Sequence, residues 1–538
     1  MAFLRIENKK SGKYLRIVES YRDDKGVSRH RILYALGKLE DYTPEQLQRI
    51  GSRLYELGGG NLKELLGIST AEKARFNYGF YQFYSKALAH YGLPRTFKQI
   101  ATKHKLGFGL QNAVLLMILE RLQDPCSKRS SYFNQSEYLG IEPTCLQHLY
   151  RSLDKLADYN KVIQKQIYQT GRDLFNQRLD VVFYDVTTLY FDSEVEKEGE
   201  LRQKGFSKDG KIGKTQILFC MLIDKDKQPI GYKVFKGDTF EGHTFEHAVK
   251  DLKKEYQIDK VIVVADRGML SKNNLEVTLD NGYEFIVGER LKKLPQEIQS
   301  HLLNLENYVA EWKYVDAADQ EVLVRYCTAQ YQGRTIIGTY SAKRAKKDSH
   351  DRQEKLETAQ RLMAKPSLVT KKASRFYLKK EGNDTYQLDT ERIKKDEQFD
   401  GFLAIATNNK SLPVTDVLEQ YKHLYRIEHT FRTFKSHLET RPMFHWTDKR
   451  IEGHLCLCYL SYTLLNYTLL KLDKAGVKTT ETHLRKLLEK MQVSLVEQEG
   501  KDFYLRSAQH DQETLIQQKL GLDILPSVFP VGALSQYI

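Results

Sequence analysis

Asp185 stands in the middle of Val181-Val-Phe-Tyr-Asp-Val-Thr-Thr-Leu-Tyr-Phe191, a run that is otherwise apolar, aromatic or β-branched. A carboxylate in such a strand is costly to bury unless it is paired, hydrogen-bonded or bound to a cation. Asp266 closes a second apolar run, Val261-Ile-Val-Val-Ala265, and is followed by Arg267-Gly268. A third acid, Glu428, lies between Tyr421 and Lys435, each seven residues away. Seven residues make about two helical turns, so the phenol, the carboxylate and the amine share one face. Leu424, Ile427, Phe431, Phe434 and Leu438 form an apolar stripe beside them, at alternating spacings of three and four. Singly, each acid has a plain explanation: a turn cap for the aspartates, a surface row with modest ion pairing for the glutamate. Gathered on one sheet, the three would suit two Mg²⁺ ions, which take oxygen ligands and dock substrate phosphates. Two such ions ~4 Å apart can activate an attacking oxygen and stabilise a leaving one.

The elements that must position these residues follow from periodicity. Residues 1–68 combine β-like runs (Tyr14 to Ser20, Ser28 to Ala35), joined by the hairpin-type turn Asp23-Asp-Lys-Gly26, with a helix over Thr43 to Leu57. Residues 69–178 are helical, with Phe80, Phe83, Tyr84 and Leu88, and then Leu149, Leu153 and Leu156, at helical spacing. From 179 to 290 strand character dominates: Val181 to Phe191, Thr215 to Ile223 and Ile230 to Phe235. A helix (Thr244 to Tyr256), a strand (Lys260 to Ala265), a further helix from Lys272 and a strand (Tyr283 to Val287) follow. Three strands and then alternation predict a mixed α/β sheet. That rhythm breaks over 291–398, where polar β-like pieces (Tyr308 to Tyr314, Glu321 to Gln330, Arg334 to Tyr340) accompany a charged helix. Lys343 to Lys380 holds 13 Lys+Arg against 4 Asp+Glu, a run that a solvated face explains better than a DNA contact does. Strand character returns at Phe399 to Thr407, and one helix is expected from Pro413 to about Leu438, proline being tolerated at a helix start. Residues 471–538 are expected to be helical, with a role in dimerisation open.

Several segments together resemble insertion-sequence transposases with an Asp-Asp-Glu triad, of the group named for insertion sequence four and, within it, the branch named for insertion sequence sixteen-thirty-four. They are Tyr184-Asp-Val-Thr-Thr-Leu-Tyr-Phe, Gly205-Phe-Ser-Lys-Asp-Gly, Ala265-Asp-Arg-Gly-Met, Tyr421 through Pro442, the N-terminal hairpin and Arg121-Leu-Gln-Asp-Pro-Cys-Ser-Lys. The resemblance implies a ribonuclease H-like catalytic domain over 179–290 and 399–470, interrupted by a largely β, basic insertion over 291–398. It implies that 1–68 and 69–178 bind the element's ends. It makes Asp185, Asp266 and Glu428 the catalytic, metal-binding triad for two Mg²⁺ ions, with Mn²⁺ as a substitute. Tyr421 and Lys435 match the group's helix signature, while Leu424 stands where that signature has an arginine; Arg426, about 200° around the helix, is no simple replacement. The DNA contacts it suggests are Tyr421, Lys435, Arg426, Arg267, Lys208, Lys211 and Trp312, the last as a platform for a flipped base in the insertion; by residue type alone, ordinary packing in a small sheet is the favoured account of Trp312. The implied activity is metal-dependent cleavage at terminal inverted repeats and strand transfer into target DNA, through a hairpin, by a homodimer on double-stranded DNA. A nuclease that cleaves without joining and a catalytically dead DNA-binding relative are the competing readings.

Composition narrows the class. The 538 residues carry 84 Lys+Arg and 70 Asp+Glu, a net +14, and 41 % are hydrophobic, which excludes a disordered chain and favours a polyanionic partner. The start, Met-Ala-Phe-Leu-Arg-Ile-Glu, lacks the pattern of a secretion signal. The most apolar stretch, Leu455 to Leu470, is interrupted by Ser461, Thr463, Asn466 and Thr468 and falls short of the ~20 residues a span needs, so a buried helix without membrane contact is expected. Six cysteines without regular spacing point to a reducing, cytoplasmic setting. Gly205 to Lys211 has phosphate-loop spacing, but Ile212 replaces the Ser/Thr that such loops use and a strand should follow; a basic loop beside the active site is expected instead. His454, Cys456 and Cys458 lack a second ligand pair for zinc and fall in the apolar helix.

Overall fold

The computed structural model describes residues 2–59, 70–175, 181–197, 200–206, 210, 213–256, 258, 261–266, 271–315, 320–364, 376–381, 386–498 and 500–537. They form two compact units, one of Met1–Phe76, Val493–Ala508 and Leu525–Tyr537, the other of Asn77–Gln492 and Gln509–Ile524. The first opens with an antiparallel meander, β1 (Ala2–Lys9), β2 (Gly12–Arg22) and β3 (Ser28–Lys38). The expected turn closes β2 onto β3: the Asp23 carboxylate accepts from the N–H groups of Lys25 and Val27, both at 3.0 Å, and Gly26 supplies φ +78°. Helix α1 (Pro44–Leu57) and strand β4 (Thr70–Asn77) follow.

In the second unit the helical region is α2 (Gly79–His90), α3 (Leu93–Lys103), α4 (Leu110–Gln123), α5 (Lys128–Asn134), α6 (Leu146–Asp158) and α7 (Asn160–Phe175). Its periodic apolar residues, Phe80, Phe83, Tyr84, Leu88, Leu149, Leu153 and Leu156, are all buried. The core sheet then begins with β5 (Val181–Tyr190), β6 (Gln203–Lys204), β7 (Thr215–Ile223) and β8 (Pro229–Lys236), continues through α8 (Glu241–Lys254), β9 (Ile262–Ala265) and α9 (Lys272–Asp280), and reaches β10 (Glu284–Glu289). β7 is antiparallel to β5 and to β8, whereas β9 is parallel to both β5 and β10. The spatial order β8-β7-β5-β9-β10 is that of a ribonuclease H-like sheet, three antiparallel strands followed by two parallel to the first.

The segment expected as a separate β insertion is built differently. It contains α10 (Gln296–Leu303), β11 (Ala310–Val315), β12 (Glu321–Tyr331), β13 (Arg334–Tyr340), α11 (Ala342–Ala364), the hairpin β14 (Leu378–Lys380) with β15 (Tyr386–Leu388), and α12 (Thr390–Glu397). Among the described residues more of it is helix than strand. Its three long strands continue the core sheet, because β16 (Phe402–Thr407) pairs antiparallel with β10 on one side and with β13 on the other. The result is one ten-stranded sheet. Pairing β13 removes the free edge that β16 would present, and Ile336, Ile337, Ala404, Ile405 and Ala406 are buried along this seam.

The single helix expected from Pro413 to Leu438 is three pieces: α13 (Val414–Lys422), α14 (Tyr425–Arg432) and a π-helical turn over Thr433–His437. At the first break the Leu424 and Arg426 N–H groups bond three residues back, to the carbonyls of Tyr421 and His423. Further on, the hydroxyls of Thr430, Thr433 and Ser436 donate to carbonyls four residues back, competing with the helical ladder. The Leu438 N–H then reaches the Thr433 carbonyl at 2.9 Å. The apolar stripe survives: Ile427, Phe431, Phe434 and Leu438 are buried.

The following α15 (Asp448–Lys474) is long and apolar enough to cross a membrane by length and composition. It is a core helix, buried almost continuously from Ile451 to Thr468 and packed on α4, α6 and β8. His454, Cys456 and Cys458 are buried within it. The region 471–538, expected to be helical, is mixed. Helices α16 (Glu481–Lys490) and α17 (Asp511–Leu520) alternate with β17 (Gln492–Gln498), β18 (Lys501–Arg506) and β19 (Val528–Pro530). These strands pair in the order β19-β18-β17-β4, a long-range closure that no local pattern announces.

Candidate active site

Every interior residue of β5 is buried except Asp185, which is partly exposed. The parallel register pairs Val181 with Ile262 and Tyr184 with Ala265. The next step along both strands therefore sets Asp185 beside Asp266, on strands ~4.8 Å apart. β9 ends at Ala265 while β5 runs on, so the two aspartates lie where the parallel strands part, the usual place for a ligand crevice in such sheets. The Asp185 carboxylate accepts from the N–H of Val186 at 2.7 Å.

Glu428 arrives from another direction. Ile427 and Phe431 are buried, α14 packs on β5, and Glu428 thereby faces a cavity of about 450 Å³ whose wall also includes Asp185 and Asp266. Asp185 and Asp266 are 81 residues apart and Glu428 is 162 further on; the fold brings all three to one cavity. Leu424, Tyr421 and Tyr425 complete this side of it.

The opposite wall comes from the segment that extends the sheet. Trp312 and Tyr314, two residues apart on β11 and so on the same face, both line the cavity, with ring centroids 5.0 Å apart. The Lys422 ammonium sits 3.6 Å from the Tyr314 ring and 5.9 Å from that of Trp312. Arg344, from α11, also borders the cavity. Tyr314, Lys422 and Arg344 escaped the sequence reading. The alternation along Trp312-Lys-Tyr314 could have flagged Tyr314; nothing local marks the other two.

Of the remaining residues singled out, Lys435 lies in the π-helical turn and is not part of the cavity wall. The Arg426 guanidinium donates to the carbonyl of Lys225 and does not reach the cavity. Arg267, Lys208 and Lys211 lie outside the described residues.

Among the described residues no three carboxylate, imidazole or thiol groups are close enough to share one ion. The donor set nonetheless fits hard divalent cations. Two aspartates stand side by side and a glutamate faces the same space, and Mg²⁺ needs only one or two carboxylates per ion, with water and phosphate oxygens completing its shell.

Residues 176–464, more than half the chain, match the family model described as the transposase DDE domain. The chain is a DDE transposase. Residues 4–60 also match the model described as the IS1634 family transposase N-terminal domain, a similarity confined to that segment. Among solved structures it is similar to the cryo-EM structure of the piggyBac transposase synaptic complex with hairpin DNA, at 10 % identity and a TM-score of 0.37, over 77 % of this chain and 78 % of that one. No curated protein matches.

Proposed function

We propose that this transposase cuts at terminal inverted repeats and joins the freed ends to target DNA, with Asp185, Asp266 and Glu428 as the groups that hold two Mg²⁺ ions. The observation that carries the reading is the register of β5 and β9, which sets Asp185 beside Asp266 at a strand divergence facing Glu428. The ions, when bound, supply Lewis-acid stabilisation of an in-line displacement at phosphorus. The protein's own part is placement. Asp185 is fixed by its strand and Glu428 by the stripe beneath α14, so the carboxylates need little reorganisation as a phosphodiester enters. Trp312, Tyr314 and Lys422 form an aromatic and cationic wall that suits an unstacked base next to the cleaved phosphate. Arg344 and Lys422 are positioned to meet backbone oxygens.

The order of chemistry follows that reading: water cleaves one strand, and the released 3′ hydroxyl attacks the opposite strand to give a hairpin, which is opened before strand transfer. The working species is a homodimer on two element ends, with 1–68 and 69–178 reading the repeats. The decisive experiment is Asp185→Asn, which keeps the side chain's size and removes its charge. Repeat binding should persist while Mg²⁺-dependent nicking and joining are lost. Nicking retained by clean mutant protein refutes the triad; nicking without joining by the unsubstituted protein would favour a simple nuclease.

A further inference from the structure

A second cavity, of about 760 Å³, lies between the helical region and the segment that leaves the catalytic helix. Arg121 and Lys128 line one side; Arg441, Phe444 and Trp446 line the other. Five Lys and Arg side chains border it against two carboxylates, Asp154 and Glu439, and Asp154 is occupied by Arg450. Lys128 is 4 % exposed and forms no ion pair among the described residues. Burial, followed by the charge of Arg121, pushes its ammonium down to about 7. Arg121 is 6 % exposed; its terminal nitrogens serve the carbonyls of Leu438 and Cys126, and its Nε is left without a partner. His454 Nδ1, buried on the same wall, is likewise unpartnered. The buried Glu120 carboxylate acts on Lys128 only as a minor influence, from beyond ion-pair distance; a buried cation without a close counter-ion is destabilising, and an arriving anion would offset that cost.

The aromatic side is equally specific. Trp446 is 60 % exposed, yet its indole is held by the buried guanidinium of Arg202, 4.5 Å from the ring. One face is thus fixed and the other open. The cavity is also within reach of the same DNA. The Met443 N–H donates to the Tyr190 carbonyl at 3.0 Å and Met443 bridges Phe191, six residues beyond Asp185. At ~3.3 Å per residue that is ~20 Å, or about six base pairs at ~3.4 Å each.

We propose that this cavity binds one nucleotide of the transposon DNA away from the cleavage point, its phosphate between Lys128 and Arg121 and its base on the open face of Trp446. The inference rests on the reading that DNA occupies the Asp185 cavity and adds a second anchor on the same domain. The chain has two tryptophans, so Trp312→Phe in the full-length protein leaves Trp446 as its sole indole. In EDTA, where no cleavage occurs, titration with a single-stranded oligonucleotide should quench Trp446 emission. Lys128→Met and Trp446→Ala should each weaken oligonucleotide affinity about tenfold by anisotropy, as expected for loss of a charged contact or a stacked base, while Lys128→Arg keeps most of it. Trp446 is on the surface, so its variant separates binding from folding. Unchanged emission at saturation, unchanged affinity in both loss variants, or a quench reproduced in full by inorganic phosphate alone would each overturn the proposal. Because the readout needs no cleavage, failure here leaves the triad standing, and a cleaving Asp185→Asn protein leaves this result standing.

Discussion

Replacing Lys128 by methionine should stabilise the protein at neutral and acid pH. The ammonium is buried, faces the Arg121 guanidinium, and is held down to about 7 from its ordinary 10.5. At 1.36 kcal/mol per pH unit, that depression corresponds to about 5 kcal/mol as an upper bound. The sign follows from proton binding. Between about pH 7 and 10.5 the unfolded chain holds a proton on Lys128 that the folded chain has released, so stability rises with pH across that window. Below about 7 both states are protonated and the full destabilisation is present. Methionine has similar length and no charge, so Lys128→Met should gain stability below pH 7, of the order of 2–5 kcal/mol, and the gain should shrink towards zero near pH 10. The assay is urea unfolding of the Lys128→Met and unsubstituted proteins at pH 6, 7.5 and 9.5, with the midpoint and slope compared at each. A variant less stable at pH 6, or a gain that does not fall as pH rises, would refute the picture of a buried cation that Glu120 offsets only in part. A residue that costs stability and aids DNA binding is what a retained functional group should look like.

Three further outcomes test the catalytic face. Trp312→Ala should weaken binding of a pre-cleaved repeat end by roughly 1–3 kcal/mol, with Trp312→Phe losing less, because stacking carries the contact; equal affinities in a filter-binding titration would remove Trp312 from the DNA path. Leu424→Arg places a cation on the cavity wall and should steepen the dependence of log affinity on log salt by about 0.9 if the guanidinium meets a phosphate; an unchanged slope in fluorescence anisotropy argues that it does not. Phe434→Ala removes a fully buried ring packed 5.3 Å from Phe219 and 5.2 Å from Tyr462. It should cost about 3–5 kcal/mol in chemical unfolding and lower cleavage with it, since that packing anchors the helix bearing Glu428; full activity at unchanged stability would uncouple the two.

The sequence by itself determined the local grammar of this transposase. Alternation and β-branched runs marked β5, β7, β8, β9 and β10 to within a few residues, and even the polar β11, β12 and β13, because side-chain period and composition are local properties. The three acids were legible for the same reason: a carboxylate inside an apolar strand or beside a helical stripe is conspicuous against its neighbours. Tertiary structure alone decided which strands share a ladder. Nothing in residues 291–398 states that β13 will pair with β16 and make three strands of the expected insertion one end of the core sheet, since a strand's own pattern fixes its faces and leaves its partner open. The π-helical turn after the helix that bears Glu428 was likewise hidden, because hydroxyls bonding back to the ladder act against an otherwise strong helical period. The same limit hid the wall formed by Tyr314, Lys422 and Arg344, and the pocket that joins Lys128 to Trp446. Their residues lie tens to hundreds of positions apart, and only long-range hydrogen bonding and packing bring their charges and rings to one place.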